Sequence, residues 1–296
     1  MSPDRTARRL GGGSDGGMEV LAAPGADEGV VVVTHPGALL VRSYEALAEE
    51  LGGIGLGVLQ IDKIPEYRRS MLGGEPLEIT VAEIAERFVA EIHEFAGDRP
   101  VVLLGWSFGG VLAYGTAERL AADRVVEHLF LLDSIAPGEG DPGKKFGDSL
   151  PSREGLDWFA MYFGAKRGAP LGFAYSDFEN MTTTEGLSAI LERCKQRGIM
   201  ERDTSVAGLR KVFEAFVDGI LRNKQLHDGF DPGPPAFPVT LVRPQRGLFD
   251  DVSSLGWEPV VGDVAVHYCP GDHYTMFSNP EAAKSIAALV DSALRH

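Results

Sequence analysis

From residue 28 onward, short apolar runs alternate along the chain with patterns typical of amphipathic helices. The run "GVVVVTH" (29–35) is continuous and β-branched. Similar runs follow at 55–61, 100–106 and 126–134. Between them, residues 80–97 carry apolar side chains every three or four positions behind Thr80, a suitable N-cap. Because continuous apolar strands alternating with helices are typical of a sheet buried on both faces, the sequence predicts an α/β fold with a mostly parallel central sheet.

This alternation stops near residue 138 and resumes at residue 239. Residues 138–234 open with a polar, glycine-rich segment and continue as three helical stretches without a convincing strand. Strand-like runs at 239–244 and 264–273 and a last helical pattern then complete the sheet. We predict a single domain over residues 18–296 with a helical lid at about 138–234. The first 17 residues, "MSPDRTARRLGGGSDGG", predict a flexible tail.

Composition excludes several classes of function. The chain has 28 Lys and Arg against 43 Asp and Glu, a net charge of −15, which argues against binding to nucleic acid. No apolar run approaches the ~18 residues that span a bilayer, and no apolar segment follows the N-terminal arginines as in a signal peptide. The two cysteines, Cys194 and Cys269, make neither a disulfide framework nor a zinc site. We expect a cytoplasmic protein that binds no membrane and no metal.

The stretch "LLGWSFGG" (103–110) places a serine between two glycines, where a strand meets a helix. Such a tight turn strains its central residue and lifts the Ser107 hydroxyl out of the sheet, while side chains at 105 and 109 would clash. The N–H of Phe108, at the positive end of the helix, can face an oxyanion. Glycine-rich turns also bind phosphates, but this one has no Lys-Ser/Thr pair and no G-x-G-x-x-G pattern. We predict that Ser107 is a nucleophile and Phe108 an oxyanion donor.

A serine nucleophile needs a base, and the order expected here is serine, acid, histidine. His267 lies within the last strand pattern, and we expect it to pack in the sheet. His273 follows the turn "CPGD" at the carboxyl end of that strand, the edge where Ser107 also emerges. We predict His273 as the base. His35, at the end of the first long strand, is interpreted as a structural hydrogen-bonding residue.

Two positions compete for the acid. Asp133 in "LLDS" directly follows the strand after the nucleophile helix, a rigid position suited to orienting a histidine. Asp250 and Asp251 in "LFDD" follow a later strand in a looser, polar loop. Asp272, next to His273, is expected to point away. The loops of Asp133 and of Asp250 and Asp251 open on the same face of the sheet, so geometry alone permits either. The rigid position of Asp133 favours it as the acid.

The segments "GWSFGG", "LLDSIAP" and "PGDHYTMF" together resemble the thioesterase domains, of the α/β-hydrolase superfamily, that release chains from polyketide and non-ribosomal peptide synthases. The resemblance covers nearly everything after residue 28. Trp106 and Phe108 flank the serine in this motif and resemble the residues found in chain-releasing members. Stand-alone editing enzymes tend to have His and Met at these two positions, in the pattern G-H-S-M-G. The resemblance favours Asp133 as the acid and implies Ala38, in "HPGA", as the second oxyanion donor. The chain departs from the family in having Ala38-Leu39-Leu40 where a Gly-Gly pair is common.

The resemblance implies a substrate held as a thioester on the phosphopantetheine of an acyl or peptidyl carrier protein, with no cofactor of the enzyme's own. The acyl group would pass to Ser107 and leave by attack of water, giving an acid, or of a hydroxyl or amine of the chain itself, giving a ring. The sequence does not decide between hydrolysis and macrocyclisation, between an excised domain and a free-standing enzyme, or between a monomer and a homodimer.

The predicted lid contains residues that could line a pocket for the acyl chain and residues that could bind a carrier protein. Four aromatic residues, Trp158, Phe159, Tyr162 and Phe163, could line a hydrophobic tunnel or pack the lid on the sheet, and both alternatives stay open. Carrier proteins are usually acidic, as is this chain, so docking would need a local basic patch. The segments "KR" (166–167) and "RCKQR" (193–197) are candidates, although exposed helix charges need no partner.

Two other functions are compatible with the same pattern. One is a carboxylesterase or lipase-like hydrolase on the same fold. The other is a non-catalytic binding protein with an α/β-hydrolase fold, which is disfavoured because such relatives commonly lose a triad member, whereas this chain has all three residue types in order.

Overall fold

The computed structural model of the chain describes residues 17–25, 28–138, 140–147, 149–250 and 252–295. Within them, one sheet of seven strands runs in the order β1-β3-β2-β4-β5-β6-β7. The strands are β1 (Met18–Ala22), β2 (Val30–His35), β3 (Gly55–Gln60), β4 (Val101–Trp106), β5 (Val126–Leu132), β6 (Val239–Arg246) and β7 (Ala265–Asp272). β1 pairs antiparallel with β3, and all the other pairs are parallel. The predicted α/β fold with a mostly parallel sheet is confirmed.

The longest helices lie where the sequence has a clear 3.6-residue period, and several shorter helices accompany them. They are α1 (Glu45–Glu50), α2 (Pro65–Gly73), α3 (Val81–Ala96), α4 (Phe108–Leu120), α5 (Ser152–Lys166), α6 (Thr183–Gln196), α7 (Val206–Asp228), α8 (Glu258–Val261) and α9 (Pro280–Leu294). Thr80 caps α3 as predicted: its Oγ1 accepts the N–H of Glu83 at 3.2 Å, and the Glu83 carboxylate accepts the N–H of Thr80 at 2.8 Å. The sequence analysis missed α2, α8 and β1; α8 has only four residues and β1 only five, too few to show a period.

Burial explains the composition of the strands. All six residues of β2 are buried, as are those of β3 and β4, so their β-branched and aliphatic runs face helices on both sides. β1 and β7 are edge strands and are partly exposed. The prediction that His267 packs inside the sheet is wrong, because it lies exposed on β7. Cys194 and Cys269 are buried and form no disulfide.

The helical segment expected in the lid lies between β5 and β6, where the described residues contain α5, α6 and α7 and no strand. α5 is buried along most of its length, and its Phe159 packs edge-on against Phe213 of α7, with ring centroids 5.3 Å apart. The lid boundaries and the single-domain span remain predictions. Residues 1–16 of the predicted tail lie outside the described residues.

Strand order and register bring together the loops that follow β2, β4 and β5. The chain passes from β2 to β3 on one side and then to β4 on the other, so the loops after β2 and β4 open into the crevice where the order reverses. Trp106 at the end of β4 pairs with Leu132 at the end of β5, and Leu132 pairs with Val242 of β6. The residues that follow β4 and β5 are therefore neighbours on the carboxyl edge of the sheet.

Candidate active site

Ser107 forms a strained turn between β4 and α4. Its φ is 55° and its ψ is −131°, a backbone conformation that residues other than glycine rarely adopt. Its N–H donates to the carbonyl of Leu132 at 3.0 Å, and its carbonyl accepts the N–H of Gly110 at 2.9 Å. Two backbone hydrogen bonds thus hold the strained turn, and the side chain of Ser107 lines a cavity.

Close backbone approach explains the glycines around Ser107. A Cβ added at Gly105 would lie 2.4 Å from the Cα of Gly110, and one at Gly109 would lie 2.1 Å from the carbonyl oxygen of Thr34. These are the clashes predicted for positions 105 and 109. Gly110 has the same constraint, since its Cβ would lie 2.0 Å from Ser134 Oγ. The turn can form only with glycine at all three positions.

The predicted base and acid are in contact. His273 Nδ1 lies 2.7 Å from Asp133 Oδ2, and both side chains are buried. Because an ionised carboxylate only accepts hydrogen bonds, the proton of the neutral imidazole lies on Nδ1, which leaves Nε2 as an acceptor. The backbone N–H of His273 also donates to the carbonyl of Arg246 at 2.9 Å. The imidazole is therefore fixed in the tautomer that a general base requires.

Trp106 connects the serine turn to the histidine loop. Its Nε1 donates to the carbonyl of His273 at 2.9 Å, and the two rings lie 5.2 Å apart. The same indole stacks on the His35 ring at 5.7 Å and 20°. The Ser107 hydroxyl has no hydrogen-bond partner among the described residues. The Trp106 indole, one residue before Ser107, therefore provides the hydrogen bond that links the serine turn to the loop of His273. Sequence analysis used Trp106 only as a family marker and missed this contact.

Arg243 lies beside the acid and was also missed. It is buried, and its Nε lies 3.5 Å from Asp133 Oδ1. Carbonyl groups of Phe249, at 2.6 Å, and of Val252 accept its other N–H groups. An arginine within the buried strand run "VTLVRP" was the available signal, since a buried cation needs an anionic partner.

The competing carboxylates have other contacts. Asp250 Oδ1 accepts the N–H of Gly247 at 2.8 Å, and its side chain is 65% exposed. Asp251 lies outside the described residues. Asp272 Oδ1 accepts the N–H groups of Tyr274 and Thr275 at 3.0 Å each, and so caps the turn after β7. Of the carboxylates considered, the structure brings Asp133 to His273.

The two predicted oxyanion donors lie on different elements. Phe108 is the first residue of α4, where helix N–H groups have no intrahelical partner, and Ala38 lies in the loop after β2. His35 holds that loop: its Nε2 donates to the carbonyl of Leu39 at 2.8 Å, and its Nδ1 accepts the Tyr44 hydroxyl at 2.9 Å. Burial lowers the pKa of His35 to about 4, so its ring is neutral, as this structural role requires.

The cavity beside Ser107 has a volume of about 140 Å³. Of the four lid aromatics, Trp158 lines it. Phe159 and Phe163 are buried and lie 5.5 Å apart inside the lid, and Tyr162 stacks on Phe216 of α7 at 4.8 Å. Packing of the lid therefore explains these three residues.

The lid is also bound to the histidine loop by an ion pair. Arg246, whose carbonyl holds His273, pairs with Asp157 of α5 and donates to the carbonyl of Phe173 at 2.6 Å. Burial raises the pKa of Asp157 to about 6 even though Arg246 lies beside it.

The predicted docking cations have structural contacts of their own. Lys166 donates to the Tyr162 hydroxyl at 2.7 Å, and Arg167 lies over the Phe163 ring at 5.3 Å, although both residues are exposed. Arg193 donates to the carbonyl of Leu171 at 2.9 Å. Contacts within the lid thus account for part of both basic segments.

Residues 30–196, more than half of the chain, match the family model described as "Thioesterase domain". The chain belongs to the thioesterase domain family. The resemblance seen in the sequence is thereby confirmed, and with it the assignment to thioesterase enzymes.

Curated relatives of this thioesterase domain are much longer proteins. It is 26% identical over 223 residues to the orsellinic acid synthase ArmB of Armillaria ostoyae, covering 72% of this chain and 8% of that protein. It is 26% identical over 213 residues to the non-reducing polyketide synthase terA of Aspergillus terreus, covering 70% of this chain and 9% of that protein. The chain thus spans less than a tenth of either relative.

Solved structures share the fold of this thioesterase domain. The NocB thioesterase domain, in covalent complex with a fluorophosphonate nocardicin G analog, has a TM-score of 0.53 and 24% identity over 92% of this chain and 96% of its own. The Vlm2 thioesterase domain has a TM-score of 0.54 and 20% identity over 94% and 98%. A four-domain nonribosomal peptide synthetase has a TM-score of 0.61 and 22% identity over 93% of this chain and 20% of its own.

A search of the helices within the described residues finds none that combines the length and apolarity needed to cross a bilayer.

Proposed function

We propose that this thioesterase releases an acyl chain bound as a thioester to the phosphopantetheine arm of a carrier protein, through an acyl-serine at Ser107. The contact between Asp133 and His273, 2.7 Å long and fixed beside the Ser107 turn, carries the proposal. A buried, oriented imidazole next to a strained serine in a cavity is the arrangement that acyl transfer requires.

In the first half-reaction, His273 Nε2 takes the proton of Ser107 as the hydroxyl attacks the thioester carbonyl. The N–H groups of Phe108 and Ala38 stabilise the oxyanion, and Asp133 stabilises the imidazolium. When the C–S bond breaks, His273 returns the proton to the departing thiolate. Water, or a hydroxyl or amine of the acyl chain, then attacks the acyl-serine while His273 accepts its proton. As the bond between the acyl carbon and Ser107 Oγ breaks, His273 passes this proton to Oγ, which regenerates both residues.

In this proposal the carrier protein and its phosphopantetheine arm are parts of the substrate, and the thioesterase has no cofactor of its own. The similarity to polyketide synthases and to a nonribosomal peptide synthetase supports a carrier-bound acyl chain. The cytoplasmic location stays a prediction, and the choice between a monomer and a homodimer stays open.

Labelling with a fluorophosphonate tests the nucleophile. The wild type is expected to gain one adduct by intact mass, and Ser107→Ala to gain none and to lose thioester hydrolysis by about 10³-fold or more. Ser149, which also lines the cavity, provides a matched control, because Ser149→Ala should still form the adduct. An adduct that persists in Ser107→Ala would contradict the assignment.

Substrate comparison tests the reaction. We expect acyl carrier thioesters and N-acetylcysteamine thioesters to react faster than p-nitrophenyl esters of the same acid. A preference for the simple esters would favour the carboxylesterase alternative instead. The mass of the released product then separates the two outcomes for the acyl-serine, because a ring is lighter than the free acid by one water.

A further inference from the structure

Arg243 forms a buried ion pair with the proposed acid, Asp133. Its Nε lies 3.5 Å from Asp133 Oδ1, and the two side chains are only 3% and 1% exposed. A guanidinium stays charged at every pH at which an enzyme works, so the positive charge beside Asp133 is permanent. Within the described part of the chain, no other arginine or lysine comes within ion-pair distance of Asp133.

The members of this pair interact through charge rather than through a hydrogen bond. Asp133 Oδ1 and Arg243 Nε are both buried, and neither has a hydrogen-bond partner among the described residues. The other N–H groups of Arg243 donate to the carbonyl of Phe249, at 2.6 Å, and to that of Val252. Backbone carbonyls therefore fix the guanidinium in place, and its effect on Asp133 is electrostatic.

Gly247 packs closely against both charged groups. A Cβ at this position would lie 2.8 Å from Arg243 Nη2 and 3.0 Å from Asp133 Oδ1. Protein backbone rather than a side chain thus approaches the pair from this direction. Because both side chains are also buried, little solvent screens the interaction between their charges.

Three other titratable groups around Asp133 and His273 are neutral at neutral pH. Burial, with a smaller effect of Asp133, raises the pKa of the Cys269 thiol on β7 to about 11. Burial also raises the pKa of the Tyr274 hydroxyl well above its ordinary value. Burial lowers the pKa of His35 to about 4. None of these three groups places a charge beside the pair at neutral pH.

The charged groups on the neighbouring loops are screened or have partners of their own. Asp250 Oδ1 lies 4.0 Å from Arg243 Nη2, but its side chain is 65% exposed, so water screens its charge. Asp272 Oδ1 accepts two backbone N–H groups of its own turn at 3.0 Å each. Arg246 pairs with Asp157 of the lid. Arg243 is therefore the buried, permanent charge that acts on the acid.

A carboxylate and a guanidinium act on a nearby imidazole in opposite directions. The negative charge of Asp133 favours the protonated ring of His273, whereas the positive charge of Arg243 opposes it. A general base works only in its neutral form. Without Arg243, the coupled pair of Asp133 and His273 would keep a proton up to a higher pH. With Arg243 present, Asp133 can orient His273 while the imidazole loses its proton at a lower pH.

We propose that Arg243 is a positioning residue that acts on His273 across the Asp133 carboxylate and lowers the pH at which His273 becomes a free base. The inference rests on the proposed function and adds to it the control of the pH range in which the thioesterase works.

The pH profile of kcat/KM for an N-acetylcysteamine thioester, over about pH 5 to 9, tests this role. In Arg243→Gln the midpoint of the acid limb should rise by about one pH unit, so that the rate within that limb falls about tenfold. Arg243→Lys keeps the charge, and its midpoint should rise by less than half as much.

Arg119→Gln is the matched control. It also removes one positive charge and an ion pair, the 3.2 Å contact with Glu86, but at the far end of α4 from Ser107. Its midpoint should equal that of the wild type. An unmoved midpoint in Arg243→Gln, or an equal rise in Arg243→Lys or in Arg119→Gln, would overturn the inference, even where the plateau rate falls.

Nitrogen NMR of histidine-labelled protein measures the titration of His273 without catalysis. The resonance is assigned by its loss in His273→Gln, and its midpoint should rise in Arg243→Gln. That rise together with absent thioester hydrolysis in the wild type would overturn the proposed function alone. Hydrolysis in the wild type with an unmoved His273 midpoint in Arg243→Gln would overturn this inference alone.

Thermal unfolding shows whether each variant is folded. Arg243→Gln leaves Asp133 as an unpaired buried charge, which can prevent folding. In that case the double variant Asp133→Asn, Arg243→Gln, which has no such charge, is compared by NMR with Asp133→Asn. The midpoint of His273 should again be higher in the protein without the arginine, and equal midpoints would overturn the inference.

Discussion

At the scale of single residues, Asp133 is a buried carboxylate held between an imidazole and a guanidinium. His273 Nδ1 lies 2.7 Å from one oxygen and Arg243 Nε lies 3.5 Å from the other. A buried charge is tolerated only with partners of this kind. Arg243 thus places a positive charge beside the buried Asp133 carboxyl, next to His273, and its own carbonyl partners hold it there.

The variant Asp133→Asn tests the acid. If Asp133 is the acid, the amide cannot hold His273 in the tautomer with an acceptor at Nε2, so kcat for thioester hydrolysis should fall by about 10⁴-fold, the loss typical of the Asp-to-Asn change in Ser-His-Asp enzymes. The measurement is steady-state hydrolysis of an N-acetylcysteamine thioester, together with thermal unfolding to show that the variant is folded.

Asp250→Asn is the matched control for Asp133→Asn. Its side chain is mostly exposed and has no contact with His273, so its rate should stay within about threefold of wild type. A large loss in Asp250→Asn with little loss in Asp133→Asn would reverse the assignment of the acid.

At the scale of elements, α5 of the lid is attached to the end of β6. Asp157 of α5 pairs with Arg246, whose carbonyl also accepts the N–H of His273. Lid position and histidine position therefore depend on the same residue. Burial of Asp157 is the main cause of its raised pKa, with a further increase from Asp250, while Arg246 and Arg153 lower it.

This raised pKa predicts a pH dependence of stability. The pKa of Asp157 rises from an ordinary 3.8 to about 6 in the folded protein, so its neutral form favours folding. The contribution of the protonated Asp157 to the free energy of unfolding is complete below about pH 4 and is lost as the pH rises through about 6. Asp157→Asn cannot ionise, so wild type should lose stability relative to this variant between these pH values.

Thermal unfolding of both proteins at pH 4, 5, 6 and 7 measures that difference. Asp98→Asn, at an exposed position, should track wild type throughout the series and so serves as the control. A constant difference between wild type and Asp157→Asn, or a gain of wild-type stability with rising pH, would contradict the prediction.

At the scale of the whole molecule, the net charge of −15 opposes association with an acidic partner. Lys166 and Arg167 are exposed at the end of α5, and both also contact aromatic rings of the lid. If a carrier protein docks at this end of the lid, these two cations supply the local attraction that the overall charge lacks.

Charge reversal tests this docking surface. The double variant Lys166→Glu, Arg167→Glu should raise KM for an acyl-loaded carrier protein by about tenfold, because each exposed charge contributes only modestly. The rate on an N-acetylcysteamine thioester should change little. Lys284→Glu, an exposed lysine on α9, is the control. Because Lys284→Glu reverses one charge and the double variant reverses two, the same effect on log KM per reversed charge in both variants would show that only overall charge matters.

The amino-acid sequence by itself determined the features that depend on neighbours along the chain. The alternation of strands and helices, the glycine-flanked turn at Ser107 and the loop position of His273 can be predicted because each follows from local periodicity and backbone strain. Only the tertiary structure showed that Asp133 rather than Asp250 contacts His273, placed Arg243 beside Asp133 and brought His227 to the cavity of Ser107. These contacts join residues that are about a hundred or more positions apart in the sequence and that meet only when the sheet brings their loops to one edge. Local sequence patterns carry no information about which distant residues will meet.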